Sequence, residues 1–252
     1  MMLIRIDTLL AMVALWGATQ QISAADLDSQ APAKTPVLVV TGGHDFEREP
    51  FFKLFKDNPD ITYQAVAHPK AHALLTAEAA KQWNVLVLYD MHQDIRDQAK
   101  ADFVARLKEG KGLVVVHHAI ANYQAWPEYA SIIGARYYLA ATNVNGVAKP
   151  RSAYKHGVDF RIHVADPQHP VTRGVKDFDI HDETYKWFDV ADDCHPLLTT
   201  DEPESNKVVA WAKTYQGARV VYIQLGHDHF AYENPNFQQL LKQAIRWVAR
   251  KS

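Results

Sequence analysis

Four short runs of apolar residues alternate with helical segments in the first half of the chain. The runs are rich in Val and Leu throughout instead of alternating apolar with polar residues, which is typical of strands covered on both faces. Strands and helices in this order are joined by right-handed crossovers and form a parallel sheet. The chain is therefore predicted to be an α/β domain with a mainly parallel central sheet. The predicted strands cover residues 36–41, 61–68, 85–90 and 112–118.

The rest of the chain completes the predicted architecture. Residues 206–228 contain two further strands around a turn at 215–218, which predicts a C-terminal hairpin. A strand is predicted at 161–166, but residues 136–160 and 167–190 lack a clear period and are predicted to form long irregular loops. The predicted helices cover residues 47–58, 76–83 (with Thr76 as N-cap), 97–110, 127–134 and 237–251.

The first residues have the pattern of a secretory signal peptide. Arg5 precedes an apolar stretch at 9–18, and small residues follow up to an expected cleavage after Ala25. The apolar stretch is shorter than the roughly 20 residues of a membrane span, so no stable span is expected once the signal peptide is removed. The protein is predicted to be periplasmic or secreted. The predicted boundaries are 1–25 for the signal peptide, 26–35 for a flexible lead-in and 36–252 for the folded domain.

Charge and cysteine content exclude several classes of protein. The net charge is -2 and the charged residues are dispersed, whereas a nucleic-acid-binding protein needs a basic face. The single cysteine, Cys194, excludes an internal disulfide and is not surrounded by a motif of a cysteine nucleophile. A GxGxxG dinucleotide fingerprint is also absent from the sequence. The sequence does not specify the oligomeric state.

His and Asp residues stand at the ends of several predicted strands. In a parallel sheet, ligands bind beyond the carboxyl ends of the strands, so these side chains are predicted to meet in one cleft. Gly43 lets the backbone turn sharply and approach a ligand closely. The residues are His44 after the first strand, Asp90 at the end of the third, His117 and His118 after the fourth, and His227 and Asp228 after the last.

The segment HDETYKW at 181–187 adds two adjacent carboxylates. Asp182 and Glu183 could share a proton, bind a metal or orient an imidazole, and the neighbouring Tyr185 and other aromatic residues favour partial burial. Four histidines beside prolines are instead predicted to be turn or surface residues: His68, His72, His169 and His195.

Two kinds of chemistry remain open for the candidate residues. Imidazoles gain and lose protons near neutral pH and can therefore act as general acids and bases. The alternative is metal-assisted chemistry with zinc or another divalent ion. The candidate metal ligands are His44, His118, Glu183 and His227.

Several segments together resemble the ThuA-like family, which is named for a trehalose-utilisation protein. They are "VLVVTGGHDF", "LVLYD", "GKGLVVVHHA", "HPVTRGVKDFDIHDETY" and "VVAWAKTYQGARVVYIQLGHD", in the family's order. The resemblance implies a flavodoxin-like three-layer sandwich related to class I glutamine amidotransferases. Those enzymes carry a cysteine at the elbow after a central strand, where this chain has His117 and His118. Relatives also often carry a histidine soon after the Gly-aromatic segment, but here the next histidine is His156.

The resemblance also implies a small-molecule carbohydrate as the ligand, such as a 3-keto sugar or glycoside. We expect His118, with Asp182 or Glu183, to transfer a proton next to a carbonyl or to promote hydrolysis, as in a hydrolase, lyase or isomerase. The alternative is a non-catalytic carbohydrate-binding or partner-docking module. The catalytic candidates are His117, His118, Asp182 and Glu183, and the substrate-binding candidates are Gly43, His44, Asp90, Tyr185, His227 and Asp228.

Overall fold

The structure, a computed structural model, describes residues 33–250. The predicted signal peptide at 1–25 lies outside the described residues, as does most of the predicted lead-in at 26–35. The strands are β1 (Thr35–Gly42), β2 (Ile61–Ala67), β3 (Val85–Asp90), β4 (Gly112–Val116), β5 (Ala135–Arg136), β6 (Thr142–Val144), β7 (Val147–Lys149), β8 (Ala153–Val164), β9 (Phe178–Lys186), β10 (Asp189–Val190), β11 (His195–Thr199), β12 (Val208–Tyr215) and β13 (Ala218–Ile223).

Helices connect and cover these strands. The α-helices are α1 (Arg48–Lys56), α2 (Asp97–Lys108), α3 (Pro127–Ile133), α4 (His229–Glu233) and α5 (Pro235–Val248). Short 3₁₀ helices lie at Lys70–Leu75, Ala79–Gln82 and His117–Ala121. In the range 33–250, no helix combines the length and the apolar character that crossing a bilayer requires.

One nine-stranded sheet organises the molecule, in the order β2-β1-β3-β4-β13-β12-β11-β8-β9. The first five strands are mutually parallel, and their order is the flavodoxin-like one. The following pairs are antiparallel, so only β12 and β8 run against the common direction. The predicted flavodoxin-like α/β sandwich is therefore confirmed, together with the C-terminal hairpin of β12 and β13.

Two apolar layers hold the sheet between its helices. On one face, Val39 of β1 belongs to a core that includes Phe51 of α1 and Ile245 of α5. On the other face, Val40, which directly follows Val39 in β1, packs in a cluster with Phe103 of α2. Each such fully buried side chain contributes about 1.5–3 kcal/mol of hydrophobic stabilisation. The covering of both faces explains why the parallel strands are continuously apolar.

The long irregular loops predicted at 136–160 and 167–190 are in large part wrong, because β8 and β9 pair there as a long antiparallel ribbon. Val158, Phe160 and Ile162 are buried in alternation along β8. This period-two signal ends at Gly157, where φ is 62° and the pairing register shifts between Lys155 and Val158. The resulting β-bulge interrupts the alternation that identifies a strand.

The β8–β9 ribbon joins the sheet through His163 and Val164, which pair with β11. Farther along the ribbon, both carboxylate oxygens of Asp182 on β9 accept hydrogen bonds from backbone N–H groups of Gly226 and His227, at 2.8 and 3.0 Å. The ribbon is therefore held against the segment that follows β13, at the edge where the parallel strands end.

Two other predicted elements differ in detail. The helix predicted at 76–83 is a single 3₁₀ turn at Ala79–Gln82, and the Oγ1 atom of Thr76 accepts only a long hydrogen bond of 3.5 Å from the Ala79 N–H. The fourth strand ends at Val116, two residues earlier than predicted, so both adjacent histidines belong to the 3₁₀ helix that follows. The side chains of this pair are thus presented by a turn and not by a strand.

Candidate active site

The chain turns sharply at His117, directly after β4. Its φ of 55° is left-handed, a conformation that persists in a residue other than glycine only where the surroundings enforce it. His117 is completely buried: its Nδ1 lies 2.7 Å from the Gln224 carbonyl oxygen and its Nε2 lies 2.8 Å from the Tyr185 hydroxyl. Because a carbonyl oxygen only accepts, Nδ1 carries a proton, and Nε2 is directed toward the groups on β9.

Glu183 on β9 lies at the centre of three imidazoles. Its Oε2 atom is 2.6 Å from Nδ1 of His227, 3.2 Å from Nδ1 of His156 and 3.5 Å from Nε2 of His117. The Glu183 side chain is only 6% exposed. We refer to His117, His156, Glu183 and His227 as the histidine–glutamate cluster.

Glu183 and His227 each shift the pKa of the other toward its charged form. Burial by itself would raise the pKa of Glu183, but hydrogen bonds from His117 and His227 outweigh burial and hold that pKa well below its usual range. The hydrogen bond to Glu183 in turn raises the pKa of His227, against the effect of burial. Glu183 is therefore ionised at neutral pH.

His156 was the residue that the sequence left without a role. It lies at the β-bulge of β8, next to Gly157, and the bulge turns its ring toward Glu183 and to within 4.7 Å of the His227 ring. Bulges commonly re-aim a side chain beside an active site. The available signal was the pair His156–Gly157 in front of the alternating residues of β8.

His118 faces a cavity of about 230 Å³ beside the cluster. Its side chain is buried, and the ring stacks on that of His44 with centroids 4.6 Å apart. Neither ring nitrogen has a hydrogen-bond partner among the described residues. Burial lowers the pKa of His118 well below its usual range, and the neighbouring His117 and His44 lower it further. His118 is therefore a neutral imidazole at neutral pH.

The cavity has a polar wall, an aromatic wall and an apolar wall. The polar wall includes the only acidic side chain among the described lining residues, Glu183. The polar residues are His44, His118, Arg151, His156 and Glu183; the aromatic residues are Tyr137, Tyr154 and Tyr185; and the apolar residues are Met91, Ile120, Ala121 and Leu139.

At Gly43 the backbone passes very close to Met91, the residue that directly follows β3. A Cβ atom at Gly43 would lie 2.3 Å from the carbonyl oxygen of Met91, and its φ is 80°. The position therefore tolerates no side chain, and it fixes where the following residue, His44, enters the cavity wall.

The carboxylates of Asp182 and Asp228, both predicted site residues, accept hydrogen bonds from backbone N–H groups. Asp182 also accepts a hydrogen bond from the Glu183 N–H, so its buried carboxylate binds three N–H groups in all; burial nevertheless raises its pKa. Asp228 caps helix α4 by accepting a hydrogen bond from the Phe230 N–H. These two residues position the site, and Glu183 is the carboxylate that faces the cavity.

Asp90 lies in a different group of side chains. It is fully buried and lies 2.8 Å from Nε2 of His68, whose ring stacks on that of His92 at 4.1 Å. His68 lies in the turn after β2, as predicted, but its side chain is buried and not at the surface, with 2% exposed. We call this group the second histidine cluster; its members are Asp90, His68, His72, His92 and Tyr123.

The second histidine cluster anchors the turn that carries the catalytic candidates. The other oxygen of Asp90 accepts a hydrogen bond from the Asn122 side chain, whose own oxygen accepts from the His92 N–H. Asn122 directly follows the 3₁₀ helix that contains His117 and His118. Asp90 therefore helps to hold the turn that carries His117 and His118 in place and does not itself line the cavity.

The other residues that the sequence assigned to turns or to no role lie apart from the cavity. His195 is exposed and pairs with Asp166, and His169 lies in a turn, as predicted. Cys194 is half-buried against the Gly134 carbonyl, and burial raises the pKa of its thiol to about 11. The thiol is therefore protonated at neutral pH.

One group of side chains in residues 33–250 could hold a metal ion: His117, Glu183 and His227, whose ligand atoms lie within 4.8 Å of one another. Two imidazoles and a carboxylate form a donor set that suits zinc and related divalent ions. Of the predicted ligands, Glu183 and His227 belong to this group. His44 and His118 stack on each other in the adjacent cavity wall, and His117 takes the third ligand position.

Comparison with known proteins supports the same fold. The family model ThuA, described as trehalose utilisation, matches residues 36–248. A ThuA-like protein from Parabacteroides merdae superposes with a TM-score of 0.73 at 17% identity, covering 86% of this chain and 90% of that one. A ThuA-like protein from Bacteroides uniformis gives 0.66 at 19% identity, covering 87% and 94%. No curated protein matches in sequence.

Proposed function

The chain belongs to the ThuA (trehalose utilisation) family, and from this premise we propose that it is an enzyme that acts on a keto sugar or a glycoside of one. One observation carries the proposal. Neutral His118, without hydrogen-bond partners among the described residues, and ionised Glu183 line the same small cavity. A base and a carboxylate held together in a cavity are what proton transfer at a carbon requires.

The size and walls of the cavity indicate the substrate. Its volume of about 230 Å³ is below the roughly 300–1,000 Å³ of sites for drug-sized ligands, so one sugar ring fits better than two. Tyr137 and Tyr154 provide ring faces, and the polar wall provides partners for hydroxyl groups. A glycoside would place its reacting ring inside and its second group toward the opening.

The proposed reaction is proton transfer next to the carbonyl of the oxidised ring. His118 accepts the proton from the carbon, because its ring is uncharged and its nitrogens are unpartnered. Negative charge then develops on the carbonyl oxygen, and Tyr137 can donate a hydrogen bond to it, since burial raises the pKa of this hydroxyl to about 12. Glu183 raises the pKa of His227 and so favours the protonated form of that imidazole, which donates a hydrogen bond.

Three residues of the histidine–glutamate cluster also fit a divalent metal ion. His117, Glu183 and His227 would hold it, and the hydrogen bond of His117 Nδ1 to the Gln224 carbonyl is the kind of support that fixes the orientation of a ligating imidazole. When bound, such an ion would supply a Lewis acid next to the substrate carbonyl.

A substrate panel tests the proposed reaction. Purified protein is incubated with 3-keto-glucose and 3-keto-glycosides, and the products are followed by NMR in D₂O, which also detects exchange of the proton next to the carbonyl. We expect exchange or turnover by the native protein and a loss of about 100-fold or more in His118→Asn. His181→Asn, at an exposed imidazole paired with Asp159, is the matched control.

Absence of exchange and turnover over the whole panel would reject the proposed reaction. If native protein and His118→Asn bind the sugars equally and neither converts them, the protein is a carbohydrate-binding module instead. Elemental analysis of protein purified without chelators addresses the metal. One divalent ion per chain, absent in Glu183→Gln, would support the three-residue site.

We also propose that the protein is exported and cleaved after Ala25. The basis is the residue pattern at 1–25. Fractionation of expressing cells, with mass determination of the mature chain, tests this: we expect a periplasmic or secreted protein that begins at Asp26. An intact amino terminus on protein from the cytoplasm would contradict it.

A further inference from the structure

Arg151 is the one guanidinium group among the described residues that line the cavity. It lies between β7 and β8 and is exposed at the cavity wall. Within residues 33–250, its side chain makes no ion pair with a carboxylate and no hydrogen bond. A guanidinium is always charged at physiological pH and presents a planar fork of donors.

The acidic side chains nearby are already paired. Lys149, two residues before Arg151, binds Asp189 at 2.7 Å. In the cavity, Glu183 is shared by the three imidazoles of the histidine–glutamate cluster. Arg151 therefore has a donor fork that no carboxylate of the described chain satisfies.

The charge of Arg151 acts on the interior of the cavity. It lowers the pKa of the Tyr137 hydroxyl, against the larger opposite effects of burial and of Glu183. Tyr137 is buried in the cavity wall, so the guanidinium is near enough to a buried polar group to influence a ligand bound there. An anionic group on that ligand would be attracted to the same position.

We propose that the substrate is an acidic sugar, whose carboxylate binds the guanidinium of Arg151. This inference rests on the proposed function, because it assumes that the cavity holds a sugar ring. A carboxylate matches the guanidinium fork with two parallel hydrogen bonds. A sugar phosphate is less well matched, because its second negative charge would lie in the same cavity as ionised Glu183 and Arg151 is the one guanidinium in the described lining.

Binding measurements with three sugars that differ in one substituent test the proposal. Calorimetric titration of the full chain with D-glucuronate, D-glucose and D-glucose 6-phosphate requires no turnover. We expect D-glucuronate to bind at least about tenfold more tightly than the other two. Arg151→Gln should remove this preference, and Arg151→Lys should keep part of it, because lysine retains the charge but not the fork.

Arg173→Gln is the matched control, since it removes an exposed guanidinium outside the cavity lining and should bind like the native protein. The proposal is overturned if glucose binds as well as glucuronate, if the preference survives in Arg151→Gln, if the phosphate binds most tightly, or if none of the three binds. Failure of the proposed function is separately visible. If the protein prefers glucuronate but shows no exchange or turnover, the proposed reaction is rejected and the acidic-sugar proposal stands. If it converts neutral keto sugars but does not prefer glucuronate, the proposed reaction stands and the acidic-sugar proposal is rejected.

Discussion

The histidine–glutamate cluster and the second histidine cluster each combine one buried carboxylate with three imidazoles, and each touches a tyrosine hydroxyl. Both lie where strands of the parallel half of the sheet end. In the first cluster, all three imidazoles contact the carboxylate of Glu183. In the second, Asp90 contacts only the ring of His68, and its other oxygen binds Asn122.

The difference between the clusters lies in what each one borders, because the second cluster also contains a buried ring nitrogen without a hydrogen-bond partner among the described residues, Nδ1 of His68. The first borders a cavity that is also lined by His118, whose ring nitrogens have no hydrogen-bond partner among the described residues. In the second, the rings of His68 and His92 stack, the ring of His72 meets both edge-on, and the hydroxyl of Tyr123 lies between His68 and His72. The same residue types therefore form the proposed ligand site in one place and a structural support in the other, and the partners of the carboxylate differ between the two.

The largest effect is expected for Glu183→Gln. The neutral amide replaces an ionised carboxylate of the cavity and cannot raise the pKa of His227 as Glu183 does, so turnover should fall about 1,000-fold, in the range found for removal of an acid–base group. Steady-state kinetics on a keto-sugar substrate measure the effect. Asp159→Asn, which removes an exposed carboxylate from β8, is the control and should be close to native. A Glu183→Gln enzyme with more than a tenth of native turnover would contradict the role of this cluster.

Asp90→Asn should affect stability instead of chemistry. The substitution removes a buried charge-assisted contact with His68 and disturbs the one with Asn122, which we expect to lower the free energy of unfolding by about 2–3 kcal/mol. Urea denaturation followed by fluorescence measures it. Turnover per folded molecule should stay within about threefold of native. If turnover instead falls as far as in Glu183→Gln, the two clusters share one function and the comparison fails.

Gly157→Ala tests how the first cluster acquires His156. The φ of 62° disfavours alanine, and a Cβ atom would meet only the His181 ring at 3.6 Å, so backbone strain of about 1–2 kcal/mol is the expected destabilisation. Thermal denaturation measures this loss. The variant should still bind sugars if the bulge survives. Unchanged stability would show that the bulge relaxes on substitution.

The smallest effect is a pH dependence of stability from the second cluster. Burial, aided by the charges of His68 and His92, lowers the pKa of His72 to about 4; Asp90 opposes this and Arg96 adds to it. The unfolded chain therefore binds more protons than the folded one between pH 6.5 and 4, and stability should fall as the pH decreases through that window. His72 is half-buried, so solvent screening reduces the size of the effect.

Urea midpoints measured between pH 7 and 4 reveal this dependence. The profile of His72→Asn should be flatter than that of the native protein in this window, whereas His181→Asn should keep the native slope. If the urea midpoint changes with pH equally in His72→Asn and in the native protein, His72 is not the source of the pH dependence.

The parallel half of the molecule was predictable, because continuous Val and Leu runs leave few other folds. Placing His117, His118 and His227 at one edge followed from that topology alone. The sequence could not separate the roles of His117 and His118, since a single left-handed φ at His117 decides which ring faces Glu183 and which lines the cavity. Such a local conformation is imposed by tertiary contacts and leaves no mark in the pattern.

The antiparallel half was harder to predict for identifiable reasons. The bulge at Gly157 interrupts the alternation on β8, so the strand that supplies His156 was read as a loop. The adjacent Pro69 predicts a turn or surface position for His68, and the turn is correct, but His68 also follows β2 and so ends a strand at the same edge as the other histidines. Applying the rule of strand ends to every strand would have found it.

The two hydrogen bonds that Asp182 accepts from the backbone of Gly226 and His227 have a kinetic consequence. They tie β9 to the segment after β13, so Glu183 and His227 are already in register before any ligand arrives. A sugar bound as we propose would enter a preorganised cavity and would not need to drive a closing motion, which reduces the entropy lost on binding. Association should accordingly proceed in a single step, limited by diffusion and desolvation.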